Sequence, residues 1–444
     1  MKGIMRLEHS ATTDPRWTEL VKNYQHDWPA AAKNIFGITL SPQQLQVIRT
    51  TQQVGSRTTV ATGDGTGISH ALALVAILRV ILYPKGMALI VSEDIKAAQE
   101  AIMKYLVWEW GRALQSHPWL DLYFCLTNTG LKERNAGEMW AVIFKGYRVG
   151  REEALAGFAS DALTVIIPDA TTLDDRAFDV LRGGLVGEDN ALLLESRADQ
   201  ESGYFYRSHH ELFDQFTTIT LSSEDSPFVT PKYLEMKAQE YGGRDSEEYR
   251  VKILGLFAGD VYDPRYPTMG YNPGKTMPDS DTGLYEVNLS VFGAVSDLGH
   301  KLLVEDSTLN NLDGMRCVGW FPGMEKATNT EQVIAYYANL EAAGYEIVST
   351  KLKRLAGGAT LVSGQIRFFD SEIGNSIKAL LESDDPVYFG VAGTGSYKGN
   401  ESGMTRIVDK ILSFDVAAIP RTGEEKKIAD MIINNKLRVQ HASS

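Results

Sequence analysis

Residues 60–70 read VATGDGTGISH, a β-prone run that passes through Gly63, Gly65 and Gly67 into a long apolar stretch. A phosphate-binding loop of this kind needs glycines so that successive N–H groups can face an anion. It also needs a lysine to neutralise β/γ-phosphate charge and a Ser or Thr to hold Mg²⁺. Gly63, Gly65, Gly67 and Ser69 meet the first and last requirements, but the residue directly before Ser69 is Ile68. An aliphatic side chain donates nothing to a phosphate, so such a loop can hold an anion only through its backbone and the following helix N-terminus. The plain alternative is a tight glycine turn with no ligand.

Outward from the loop, strand-like and helix-like runs alternate. Strands are expected at 58–62, 87–92, 139–148, 163–170 and 190–196, with helices at 70–83 and 95–114. Apolar strands alternating with helices predict an α/β fold, a P-loop NTPase-like parallel sheet with helices on both faces. Between 255 and 283 Pro, Gly and Asp crowd together without periodicity, as in a linker. Beyond it, YEIVSTKLKRL and ATLVSGQIRFFD alternate apolar and polar residues while IGNSIKALLES has helical spacing, giving a smaller C-terminal α+β domain rich in strands. The expected organisation is an N-terminal arm (1–17), the α/β domain (18–260), a linker (261–283), the α+β domain (284–422) and a C-terminal helix and tail (423–444).

The chain has 444 residues, enough for more than one core, with 43% hydrophobic and 23% charged residues as in folded globular proteins. Its net charge of −13 disfavours autonomous DNA binding. Cys125 and Cys317 lack paired spacing, which excludes a disulfide framework or a cysteine-rich zinc site and leaves two buried thiols as the expectation. The longest apolar stretch, residues 71–84, contains Arg79 and stops at Pro84, too short to span a bilayer. No targeting or membrane segment is visible, so a cytoplasmic location is expected.

The loop's surroundings resemble the ATPase domain of the large terminase subunit of tailed bacteriophages, over about residues 18–260. The resemblance begins at FGITLSPQQLQVIRT, where Gln44 falls in the segment with which the family reads adenine. It runs through RTTVATGDGTGIS and through FKGYRVGREEALAGFASDALTVIIPDATTLDDRAFDVLRGGL, which is similar to the passage into the Walker B strand. It closes with SGYFYRSHHELF, TITLSSEDSPFV and YGGRDSEEYRVKILGLF. The resemblance implies an ATP-driven DNA-packaging motor working with phage capsid or packaging proteins, as a homo-oligomer, and with ATP and Mg²⁺ as cofactors if the site is active.

The catalytic positions depart from that pattern. Where the family ends its strand in Asp-Glu, this chain has Pro168 and Asp169, and proline ligates no metal. Asp169 keeps a carboxylate, set about one methylene back from where a Glu would place it. Ala61 and Thr62 replace the arginine before the loop, and Ser196-Arg197-Ala198-Asp199 stands where the coupling motif belongs. Together these losses imply a pseudo-ATPase with a structural or binding role in capsid assembly or genome packaging, meeting DNA only indirectly, touching no membrane, and located in the host cytoplasm or with the virion. The rival is an active packaging ATPase in which Asp169 polarises water and a lysine from elsewhere, such as Lys145 or one from another subunit, reaches the phosphates.

In the C-terminal part no nuclease-like arrangement of acids stands out. Asp297, Glu305, Asp306 and Asp313 read as a solvated acidic face, and no metal site is assigned. Residues 284–420 are distantly similar to phage prohead maturation proteases, through PVYFGVAGTGS and RIVDKILSFDVAAIP. That resemblance puts Ala392 near the nucleophile's place, and leaves Thr394 and Ser396 as the remaining hydroxyls, read as turn residues. His300 is the one histidine between linker and tail, and it reads as a surface or partly buried residue rather than a general base. A third reading is thus a prohead-protease-like maturation protein. His209 and His210 read as surface residues, and Trp108, Trp110 and Trp119 as core.

Overall fold

The computed structural model describes residues 10–244, 246–260, 268–272, 274–294, 301–310, 312–319, 343–383, 387–400 and 403–417. It divides into two compact units, residues 1–259 and 260–444. The expected C-terminal helix, Asp297 and His300 lie outside the described residues.

The first unit opens with helices α1 (Pro15–Tyr24), α2 (Trp28–Phe36) and α3 (Pro42–Thr51). Each has a proline in its first turn and an Asp or Ser N-cap, the residues that satisfy a helix's free N–H groups. Strand β1 (Arg57–Thr62) then leads into α4 (Ile68–Leu82), and β2 (Met87–Ser92) into α5 (Ile95–Ser116). Strands β3 (Phe124–Thr127), β4 (Gly130–Glu133) and β5 (Gly137–Gly146) follow. The unit continues with β6 (Leu163–Ile167), α6 (Asp175–Gly183), β7 (Ala191–Ser196), α7 (Gly203–His209) and β8 (Thr217–Leu221). It ends with α8 (Pro231–Glu240) and the short α9 (Glu247–Tyr249).

One eight-stranded sheet has the order β3-β4-β5-β2-β6-β7-β1-β8. From β5 to β8 neighbouring strands are parallel, and the antiparallel β3 and β4 extend the β5 edge. The expected α/β sheet is therefore present, widened by a hairpin. Central strands β2, β6 and β7 are buried along their whole length, which is why they read as unbroken apolar runs. Helix α4, packed on β2, β5 and β6, is buried at every residue from Ala71 to Leu82. Its charge at Arg79 is 1% exposed, with the guanidinium 4.2 Å from the Tyr83 ring centroid and 5.4 Å from that of Trp28. This aromatic cage supplies a cation–π partner where a carboxylate would otherwise be needed. Among the described residues no helix is long and apolar enough to cross a membrane.

Three sequence expectations for this unit change. His209 and His210 are buried, not on the surface. His209 packs between Phe205 and Phe257 with both ring nitrogens unpartnered, and burial, aided by His210, lowers its pKa to about 3. Phe205 and Tyr206 lie one helical turn before the pair, but Phe257, which packs on both rings, is distant in sequence. Trp110 is core and Trp119 partly buried, but Trp108 is 61% exposed. Cys125 is partly exposed, whereas Cys317 in the second unit is buried.

The second unit contains β9 (Gly270–Asn272), β10 (Tyr285–Phe292), β11 (Lys301–Val304), α10 (Asp306–Leu309), β12 (Arg316–Cys317) and β13 (Tyr345–Arg354). After these come β14 (Thr360–Phe368), α11 (Glu372–Glu382), β15 (Val387–Asn400) and β16 (Gly403–Ala417). Two four-stranded sheets, β10-β14-β13-β12 and β11-β16-β15-β9, share one apolar cluster that includes Leu289, Tyr345, Ile366, Phe389 and Phe414. Within the stretch whose composition suggests a linker, residues 270–272 form β9, antiparallel to β15. Proline and glycine content marks irregular chain but does not exclude a three-residue edge strand.

Candidate functional site: the glycine loop and its cleft

The glycine loop opens onto a cleft of about 1130 Å³ at the carboxyl ends of parallel strands, lined by residues that follow β1, β2, β6 and β7. Open α/β sheets place ligands at this edge. Gly63 is where the loop approaches other backbone most closely: a Cβ there would sit 2.2 Å from the Ile253 carbonyl oxygen. Gly67 takes a left-handed conformation (φ 77°) as the N-cap of α4 and gives that helix no side-chain cap, so the first-turn N–H groups lack side-chain partners.

The rest of the loop is tied to protein. Gly63 N–H donates to the Leu221 carbonyl and Asp64 N–H to that of Lys252, each at 2.8 Å. Ser223 Oγ donates to the Asp64 carbonyl at 2.6 Å, and Ser226 Oγ to that of Gly65 at 2.8 Å. Thr62 and Thr66 hydroxyls meet at 2.7 Å. Ser69 and Ile68 line the cleft.

Gln44 joins the start of α3 to the loop through the two ends of its amide. Its Oε1 accepts from Ser41 N–H in a capping box, while Nε2 donates to the Gly67 carbonyl at 3.2 Å. The side chain is 3% exposed, so it clamps α3 to the loop. Beside it His70 places Nε2 3.0 Å from Glu109 Oε1 and stacks on Tyr105 with ring centroids 5.0 Å apart.

The opposite wall is acidic. Pro168 and Asp169 line the cleft after β6, and Asp169 adopts a left-handed backbone (φ 53°, ψ 46°), a strained choice for a residue other than glycine. Burial raises the Asp169 pKa, Arg197 opposes the shift, and Asp199 and Asp94 add to it. Glu195 is 8% exposed, and burial, with the Asp169 charge beside it, pushes its pKa up to about 8. Sequence reasoning passed over Glu195 because it ends the apolar run ALLLES. A lone carboxylate in an otherwise buried strand was the available signal.

Arg197 Nη2 donates to Asp64 Oδ1 at 2.6 Å. The carboxyl groups lining the cleft are thus Asp64, Glu93, Asp94, Asp169, Glu195 and Asp199, of which Glu195 keeps its proton at neutral pH, against the one guanidinium of Arg197, with no lysine. Lys145 is not among them and lies over the Phe158 ring instead. ATP fits this lining poorly, because a polyanion meets like charge, and Pro168 offers no ligand to a metal.

In the second unit Ala392, Thr394 and Ser396 stand in β15, paired with Ser413, Lys410 and Ile407 of β16. Thr394 and Ser396 are therefore ladder residues and not turn residues; the glycines beside them mark bulges in the hairpin, between Ala392 and Gly393 and between Thr394 and Gly395. The unit's two histidines, His300 and His441, lie outside the described residues.

No protein-family model matches the chain. Among solved structures, the large terminase ATPase domain of Thermus phage P74-26 is similar over 51% of this chain and 96% of its own, at 17% identity and a TM-score of 0.39. The large terminase of bacteriophage HK97 is similar over 64% of this chain and 70% of its own, at 10% identity and a TM-score of 0.40. In sequence, the "Probable terminase, large subunit" of Enterobacteria phage P7 is 42% identical over 258 residues, which are 56% of this chain and 52% of that protein. The chain thus spans about half the length of the relative it matches. Over those 258 residues the chain is similar to a phage large terminase subunit.

Proposed function

We propose that the chain is a terminase-type component of phage genome packaging or capsid assembly whose nucleotide cleft does not turn over ATP, a pseudo-ATPase retained as a binding and structural module. The observation that carries this reading is the charge of the cleft lining, five carboxylates and a protonated Glu195 against one guanidinium and no lysine. Phosphoryl transfer depends on cations that neutralise developing charge on the transferred group. A cleft of the opposite sign raises the cost of both binding and transition state. Fold and site are separable, so the α/β scaffold can persist as a surface for packaging proteins or further copies of the chain, with DNA met only through that assembly. Its place of action in this reading is the host cytoplasm or the virion.

The rival reading, a working packaging ATPase, draws on Arg197: it lines the cleft beside the loop and carries the positive charge that Ile68 lacks. Calorimetry with MgATP, followed by phosphate release in the same preparation, separates the two. No turnover is expected; sustained phosphate release that disappears in Arg197→Ala would establish the rival.

A further inference from the structure

We infer that Asp64 is an internal plug: its carboxylate holds Arg197 where an incoming oxyanion would otherwise engage that guanidinium, so the glycine loop keeps itself closed to phosphate. The inference rests on the pseudo-ATPase reading and gives it a residue-level cause. Asp64 lies between Gly63 and Gly65, and every polar group it has is engaged by a different segment. Its N–H goes to the Lys252 carbonyl, its carbonyl takes the Ser223 hydroxyl, and its carboxylate takes Arg197. Arg197 follows β7 directly, and β7 pairs with β1 so that Ser196 sits opposite Ala61. The sheet register therefore delivers the guanidinium to the loop without any ligand between them.

Two side chains pack against the loop glycines from the other side. A Cβ on Gly65 would meet Val229 at 2.7 Å and one on Gly67 would meet the Phe228 ring at 2.8 Å. With Asp64 at 25% and Arg197 at 51% side-chain exposure, the pair is solvated enough to open. A guanidinium exchanges readily between carboxylate and phosphate, since both accept its paired N–H donors.

The test uses the full chain and inorganic pyrophosphate as probe, with calorimetry on wild type, Asp64→Asn, Arg197→Ala and the double variant. Removing a like charge beside the anion in a half-exposed cleft is worth about tenfold. Asp64→Asn is expected to bind at least about tenfold tighter than wild type, and the double variant to lose that gain. No gain in Asp64→Asn, or a gain kept when Arg197 is also removed, would overturn the plug. Should Asp64→Asn fail to fold, amide hydrogen exchange at 65–69 in Arg197→Ala decides: about tenfold faster exchange is expected, and unchanged exchange overturns the inference. ATP turnover by wild type defeats both the pseudo-ATPase reading and the plug, whereas a silent Asp64→Asn in a wild type without turnover defeats the plug alone.

Discussion

The glycine-loop cleft and the β15–β16 hairpin are the two places where the sequence suggests chemistry, and they are built in opposite ways. At the cleft four strand ends converge, so side chains as far apart in sequence as Asp64 and Arg197, 133 residues, come into contact. Along the hairpin Thr394 and Ser396 meet mainly the residues that the ladder places opposite them. A site needs groups gathered from several elements, and a regular strand pair gathers few. The cleft has the architecture of a site with an acidic lining; among the described residues the hairpin has the hydroxyls and no such gathering.

The comparison can be pressed hardest at the core under the hairpin. Phe389 is fully buried and edge-on to Tyr345 at 6.0 Å, so Phe389→Ala should cost about 3–5 kcal/mol through lost burial and a residual cavity. Urea unfolding followed in the second unit measures this. A cost below about 1 kcal/mol would mean that β15 is not held as a structural strand.

The next effect belongs to the loop. Gly63→Ala puts a methyl group 2.2 Å from a backbone oxygen that no rotamer change can move aside. Overpacking of this kind costs about 1–3 kcal/mol, and the loss should appear in the unfolding of the first unit even with no nucleotide present. A neutral Gly63→Ala would show that the loop is not pinned to the segment around Ile253.

A smaller effect tests the acidic wall. With its pKa raised from 4.5 to about 8, Glu195 stays protonated in the folded protein over a range where the unfolded chain has lost the proton. The folded state then binds more protons, so this contribution is fully present below pH 4.5 and is lost as pH rises through 8. Its slope is at most about 1.4 kcal/mol per pH unit. Glu195→Gln should therefore leave stability near wild type at pH 4.5 and exceed it at pH 8, as read by urea midpoints. Parallel pH profiles would mean that Glu195 is ionised in the fold.

Much of the first unit was legible because its signals are local. The runs expected as strands at 87–92, 163–170 and 190–196 hold strands at 87–92, 163–167 and 191–196, and the helix expected over 70–83 spans Ile68–Leu82. The substitution at Ile68 and the proline at 168 were legible too, since each is a single residue against a known requirement. What stayed hidden depends on contacts across the sheet. The Asp64–Arg197 pair follows from the β1–β7 register, and the Gln44 clamp from the way α3 meets the loop. Burial of His209 depends on Phe257, 48 residues further on in the numbering. In the second unit the glycines of VAGTGS suggested a turn, because glycine reads the same in a turn and at a β-bulge.

The smallest expected effect separates the two regions most directly. Thr394→Ala and Ser396→Ala should each change stability by less than about 0.5 kcal/mol, since neither side chain is fully buried. A nucleophilic hydroxyl needs a base within hydrogen-bond reach. The ladder partner of Thr394, Lys410, is exposed, whereas lysines recruited to such chemistry are desolvated. That of Ser396, Ile407, carries no base at all. Incubation with a fluorophosphonate probe and intact-mass measurement should accordingly show no adduct. An adduct lost in Ser396→Ala or Thr394→Ala would place a working nucleophile on the hairpin, and the contrast with the cleft would then reverse: the second unit would hold the living chemistry and the first only its scaffold.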